Sequence, residues 1–166
     1  MATNPLLFVF PFAMAYAAAA DLLTMRISNA VSIGLVAAFV VMAPIAGMPV
    51  QEMLMHLGVG VAVLIAGMLL FSLRWVGGGD AKLLAAAALW IGYDQLLPFL
   101  VIVTIFGGVL ALFLLAYRSM PAGALPLPAW ALRLHSAGES MPYGIAIAAG
   151  ALAVYPLTSW PAQLAG

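Results

Sequence analysis

Long apolar runs broken only by brief polar stretches fix the medium this chain folds in before they fix any shape. A helix crossing a hydrocarbon core about 30 Å thick needs about 20 apolar residues. Runs of that kind cover residues 6–23, 30–46, 53–73, 96–117 and 143–160. Soluble domains are about 45–50% apolar and about 25% charged; here 67% of the 166 residues are hydrophobic and 6% are charged. The expected solvent is therefore a bilayer. The expected fold is an all-α integral membrane protein, one domain over 1–166, because a helix satisfies its own backbone polar groups in lipid. A net charge of zero without a basic run argues against nucleic acid as a partner. The absence of cysteine excludes a disulfide scaffold, thiol catalysis and a cysteine-based zinc site. No Lys or Arg precedes the first apolar run, so that run reads as a retained helix, although Ala18-Ala19-Ala20 resembles a cleavage site.

One further segment is too short. Only eleven residues separate Lys82 from Asp94, which as helix span about 16 Å. The segment crosses only if residues 76–82 also lie at membrane depth, and irregular backbone there is tolerated only against protein or a wet cavity. Gly77-Gly78-Gly79-Asp80-Ala81-Lys82 is thus expected to face the inside of a bundle, with Lys82 reaching toward the headgroups. Counting this segment gives six transmembrane helices. Arg26 then falls in the first loop, Arg74 and Lys82 around the third, and Arg118 and Arg133 in the fifth. All five cations share one side, which the positive-inside rule makes cytoplasmic, and both termini are expected outside. A Trp-containing stretch of the fifth loop, from Ala129 to His135, is expected to lie in the interface with Trp130 as its anchor.

On that count Asp21 and Asp80 lie at cytoplasmic span ends, at similar depth, while Glu52 and Asp94 occupy outer loops and Glu139 a polar cytoplasmic one. An ionisable group at membrane depth costs about 2.5–3.5 kcal/mol even on lenient scales, so its default reading is functional. Two carboxylates brought together in a low dielectric do not both ionise easily. One ionised acid that activates water and one protonated acid that polarises a carbonyl make up the aspartic-protease arrangement, which needs no metal or cofactor. A glycine run before one acid lets an extended substrate approach closely. The plainer readings stand beside this one: Asp80 as a helix N-cap and Asp21 as an interfacial acid paired with Arg26. His56 and His135 fall on opposite sides and build no shared metal site; each reads as packed or interfacial. The pairs Gly58/Gly60 and Gly107/Gly108 read as helix-packing positions.

Six spans with Gly77-Gly78-Gly79-Asp80 and an earlier Asp21 resemble the prepilin peptidases, the bacterial Gly-x-Gly-Asp aspartyl proteases of the membrane. The run Asp21-Leu22-Leu23-Thr24-Met25-Arg26-Ile27-Ser28-Asn29 resembles the family's first aspartate segment, with Ser28 where proline is common. Residues 77–82 resemble the second, including its lysine, and Met141-Pro142-Tyr143-Gly144 resembles the Pro-Tyr/Phe-Gly element that opens the last span. The short form, without the larger relatives' cytoplasmic insertion and paired cysteines, is similar to the peptidases of tight-adherence (Flp-type) pili, which puts methyltransferase activity in doubt. The resemblance implies a catalytic pair of Asp21 and Asp80. It implies that Gly77, Gly78, Gly79, Lys82, Pro142, Tyr143 and Gly144 shape the site or position substrate, with no metal and no cofactor. It further implies a multi-pass protein of the bacterial inner membrane that cleaves the leader of prepilins at the cytoplasmic face. The substrate would carry a basic leader ahead of an apolar helix; membrane lipid and the assembly proteins of a pilus or secretion system are the other expected partners. Two other classes compete. A small proton- or cation-coupled transporter would use the same two aspartates within an acid-lined route across the membrane; an assembly subunit would need neither.

Overall fold

The structure, a computed structural model, describes residues 4–119, 129–135 and 141–165. Glu139 and most of the Pro- and Ala-rich part of the fifth loop lie outside the described residues. Those described are helical, with no strand among them: α1 (Val9–Thr24), α2 (Asn29–Ile45), α3 (Val50–Ser72), α4 (Gly78–Ile91), α5 (Leu96–Arg118), α6 (Ala129–His135), α7 (Gly144–Val154) and α8 (Trp160–Ala165).

Local chemistry sets the ends. Asn4 accepts from the Leu6 N–H to cap a 3-10 turn, Pro5–Phe8, that leads into α1. The left-handed Met25 (φ 54°) stops α1, its N–H returning to the Asp21 carbonyl at 2.8 Å. Ser28 caps α2 through its hydroxyl, 3.2 Å from the Ala30 N–H. Gly92 (φ 78°) ends α4 in a conformation that costs glycine least.

The two central helices are α4 and α7. α4 packs between α2 and α3 and touches α7; α7 in turn packs between α1 and α5. Residues 85–91 of α4 are all buried, as are most of α7, so neither helix presents an amphipathic stripe. Glycines set the seams. A Cβ on Gly67 would lie 3.0 Å from that of Ala81, and one on Gly60 3.1 Å from that of Leu89, so α3 and α4 run almost backbone to backbone. Gly150 meets Val103 of α5 in the same way, and Gly107 receives the Tyr143 ring. Of the glycine pairs expected to pack, Gly58 and Gly108 meet nothing within 4 Å: at about 100° per residue, Gly108 is turned about 100° from Gly107, and Gly58, two residues from Gly60, points to nearly the opposite side of its helix.

The outward faces carry large exposed apolar side chains, among them Phe12, Ile33, Leu97 and Leu112, as a surface solvated by hydrocarbon does. Three segments are long and apolar enough to cross a membrane: Pro5–Thr24, Val50–Ser72 and Leu96–Arg118. Asn29–Ile45 and Gly144–Leu157 are apolar but shorter. The six expected spans thus meet the length and composition of a crossing helix in three cases, all peripheral.

Other expectations are revised. Residues 78–82 are not irregular: the helix begins at Gly78 with extended Gly77 as its N-cap, so α4 has 14 residues and Asp80 sits in its first turn rather than at the cap. The last span is interrupted, because Pro156 cannot continue α7; a 3-10 turn, Tyr155–Leu157, leads to α8. Glu52 is half-buried in the first turn of α3 rather than in an open loop, accepting from the Ser159 hydroxyl at 3.0 Å and from Gln163. His56 is buried, its Nδ1–H donating to the Leu89 carbonyl at 2.7 Å while its ring stacks on Phe39. Trp160 likewise donates to the Trp90 carbonyl at 2.8 Å, so two of the carbonyls left open at the end of α4 are capped by side chains. α6 lies against the ends of α5 and α1: Tyr117 donates to the Ala131 carbonyl, and Arg133 donates to the Leu23 carbonyl at 2.6 Å.

Candidate functional site

The site lies where the two central helices begin. α1 ends there as α4 and α7 start, so Asp21 from the last turn of α1 meets Asp80 from the first turn of α4 and Gly144 from the first residue of α7. Asp21 is 5% exposed, close to the limit for a side chain of its charge, and its Oδ2 accepts from the Gly144 N–H at 2.8 Å. The Arg26 pairing considered from sequence is replaced by this backbone donor. Asp80 is half-buried; its carboxylate turns back to the N–H of Gly77 and feels the charge of Asp21. Each acid is therefore held by a backbone N–H at the start of a central helix, where such groups have no partner within the helix and the helix dipole is positive. A charge held by dipoles stays available to a reacting group, whereas a bound cation would compete for it.

Both aspartates line one cavity of about 720 Å³, walled by Met25, Arg26, Ile27, Leu70, Trp75 and Val76 with Gly77, Gly79, Met141 and Tyr143. Gly79 packs against Ile27: an added Cβ would lie 3.2 Å from that of Ile27. The same isoleucine approaches Gly144, so one side chain keys the two aspartate segments and the α7 start together. Tyr143 lines the cavity near enough to Asp80 to feel its charge, its ring seated in the notch at Gly107.

The remaining residues singled out from sequence divide. Pro142 is fully buried just ahead of α7 and sets the backbone there. Gly78 turns away from the cavity and lies against Phe71. Lys82 is exposed on another face of α4, its Nζ donating to Asn29 Oδ1 at 2.9 Å, and it does not line the cavity. Ile27, Trp75 and Val76 are wall residues that sequence reasoning passed over. The signal for Ile27 was present, since it sits within the first aspartate segment, but nothing in an apolar sequence distinguishes a keystone from filler. Beyond the site, fully buried Phe10, Phe39, Trp90 and Trp160 pack ring on ring toward the end of the bundle opposite the aspartates. Among the described residues, no acid-lined route connects the two aspartates with Glu52 at the far end.

A family model described as the type IV leader peptidase family matches residues 8–112, more than half of the chain and a stretch that includes both aspartates. No curated protein gives a significant match, and neither does any solved structure.

Proposed function

Because the chain belongs to the type IV leader peptidase family, which makes it a protease, we propose that it is a membrane aspartyl endopeptidase that removes the leader of prepilins, with Asp21 and Asp80 as its catalytic pair. The observation that carries this reading is the convergence of those two carboxyls on one cavity, each held by a backbone N–H.

The chemistry follows from one proton shared between two acids. The ionised carboxylate takes a proton from water as the oxygen attacks the scissile carbonyl. The protonated acid donates to the carbonyl oxygen, giving a neutral geminal diol. On collapse the C–N bond breaks, the diol gives up a proton to the carboxylate, and the leaving nitrogen takes one from the other acid. The dyad returns to its starting state with one water consumed. The glycine backbone at 77 and 79 presents no side chain to hinder an extended leader junction. The cations gathered at this end support a cytoplasmic site by the positive-inside rule; there a basic leader would be held back while its apolar helix lies in the bilayer.

The test is a gel-shift cleavage assay with a prepilin co-expressed with the wild type, Asp21→Asn or Asp80→Asn, with membrane levels of each protein measured in parallel. Cleavage by the wild type alone is the expected result, with either variant reduced by at least about 10³-fold, as when a member of a catalytic unit is removed. Cleavage that persists in a properly inserted variant removes the two-acid mechanism.

A further inference from the structure

A second cavity, about 650 Å³ and almost wholly apolar, runs along the outer side of α4 between α2 and α3, on a face separate from the aspartates. Its walls include Ile33, Leu57 and Leu89; at one end stand Asn29 and Lys82, joined by their 2.9 Å hydrogen bond. No carboxylate lines it, and Lys82 is its cation. One turn deeper along α2 from Asn29 lies Ser32, which also lines the groove. This side chain is 7% exposed and its Oγ has no hydrogen-bond partner in the protein. A buried hydroxyl without a partner is a donor left unsatisfied, and an acceptor brought into the groove would satisfy it.

From outside inward the groove therefore offers a cation with an amide, then a hydroxyl about one turn (about 5 Å) below, then an apolar wall. An anionic glycerophospholipid has its phosphate, ester carbonyl and acyl chain in that order. We propose that this groove is a binding site for one such lipid, with the phosphate on the Lys82 ammonium, an ester carbonyl accepting from Ser32 Oγ, and an acyl chain along α2, α3 and α4. Lys82 keeps donors to spare after Asn29, since an ammonium has three. Charge complementarity selects this occupant over a substrate helix: a basic leader at this end would face Lys82 and be repelled. The site does not depend on the protease reading, because none of its named residues lines the aspartate cavity.

The experiment is native mass spectrometry of the purified, detergent-solubilised protein titrated with phosphatidylglycerol and, separately, with phosphatidylcholine. The wild type should favour phosphatidylglycerol by about fivefold, the worth of one basic residue near an anionic headgroup. Lys82→Gln should abolish that preference and Lys82→Arg retain it. Ala37→Trp, placed on the exposed wall of the groove, should weaken both lipids without touching the core. Glycerol 3-phosphate should not compete, since it lacks the chains. An unchanged preference in Lys82→Gln, lipid binding indifferent to Ala37→Trp, or displacement of bound lipid by a peptide with a basic leader and apolar helix would each overturn the assignment.

Discussion

A methyl group at position 144 has no room. It would sit 2.8 Å from Asp21 Oδ2, 2.9 Å from Ile27 Cδ1 and 3.1 Å from Asp21 Cβ. The carboxylate oxygen is already held by the Gly144 N–H, and the Cβ is fixed to the α1 backbone, so neither yields without moving the other. Gly144→Ala is therefore expected to displace the Asp21 carboxyl while leaving the fold intact, and a shift of about 1 Å at a reacting group costs about 10²-fold in rate. Single-turnover cleavage should show the loss in the chemical step, with membrane levels unchanged. Gly108→Ala, which meets nothing within 4 Å, is the matched control and should cleave normally. Equal activity in the two variants would mean that the Gly144 contact does not position Asp21. The two aspartates could be found from sequence because an acid in an apolar run stands out. The Gly144 N–H could not: it is a backbone atom 123 residues away, and only the tertiary fold brings it to Asp21.

At the scale of elements, the arrangement answers why the segment bearing Asp80 is short. α4 is covered by α2, α3 and α7 and does not have to match the bilayer, so its 14 residues, about 21 Å, suffice. A short helix wrapped by its neighbours lets the acid in its first turn open into a protein-walled cavity rather than onto lipid. The shortage of apolar residues between Lys82 and Asp94 was readable in the sequence, and so was the inward placement of the glycine stretch, of which Gly77, Gly79 and Asp80 line a cavity. The start of the helix was not. A triple glycine reads as a breaker, and what overrides it is the burial of residues beyond it together with the Asp80 carboxylate turned back to the Gly77 N–H. The seams that hold α4 and α7 in place rest on Gly67 and Gly150. Gly67→Val and Gly150→Val are each expected to cost about 1–3 kcal/mol by overpacking. That loss should be read as a lower thermal midpoint in detergent, while Gly34→Val, open within 4 Å, should leave the midpoint where it is. If Gly67→Val unfolds at the wild-type temperature, the close contact of α3 and α4 is not what fixes α4.

For the whole molecule, charge and connectivity point the same way. Arg26 and Arg74 stand in the loops beside the site, and Lys82 is bonded to Asn29 at the start of α2. Arg133 reaches the Leu23 carbonyl, and Arg118 donates to the Leu134 carbonyl at 2.9 Å. All five cations are thus gathered at the aspartate end. The opposite end carries Glu52, bonded to Ser159 and Gln163, and it joins the two ends of the described chain through the Asn4 amide and the Leu164 carbonyl, 3.1 Å apart. By the positive-inside rule this asymmetry predicts that the aspartate end faces the cytoplasm. The chain has no cysteine, so single introduced thiols report orientation without background. Asp94→Cys, exposed between α4 and α5, should react with a membrane-impermeant maleimide in intact spheroplasts. Ser119→Cys, at the end of α5 beside the cations, should react only after the membrane is opened. The reverse pattern would put the aspartates on the outer face, where a substrate whose basic leader stays in the cytoplasm would not reach them, and the proposed reaction would then be impossible in the cell whatever the geometry of the dyad.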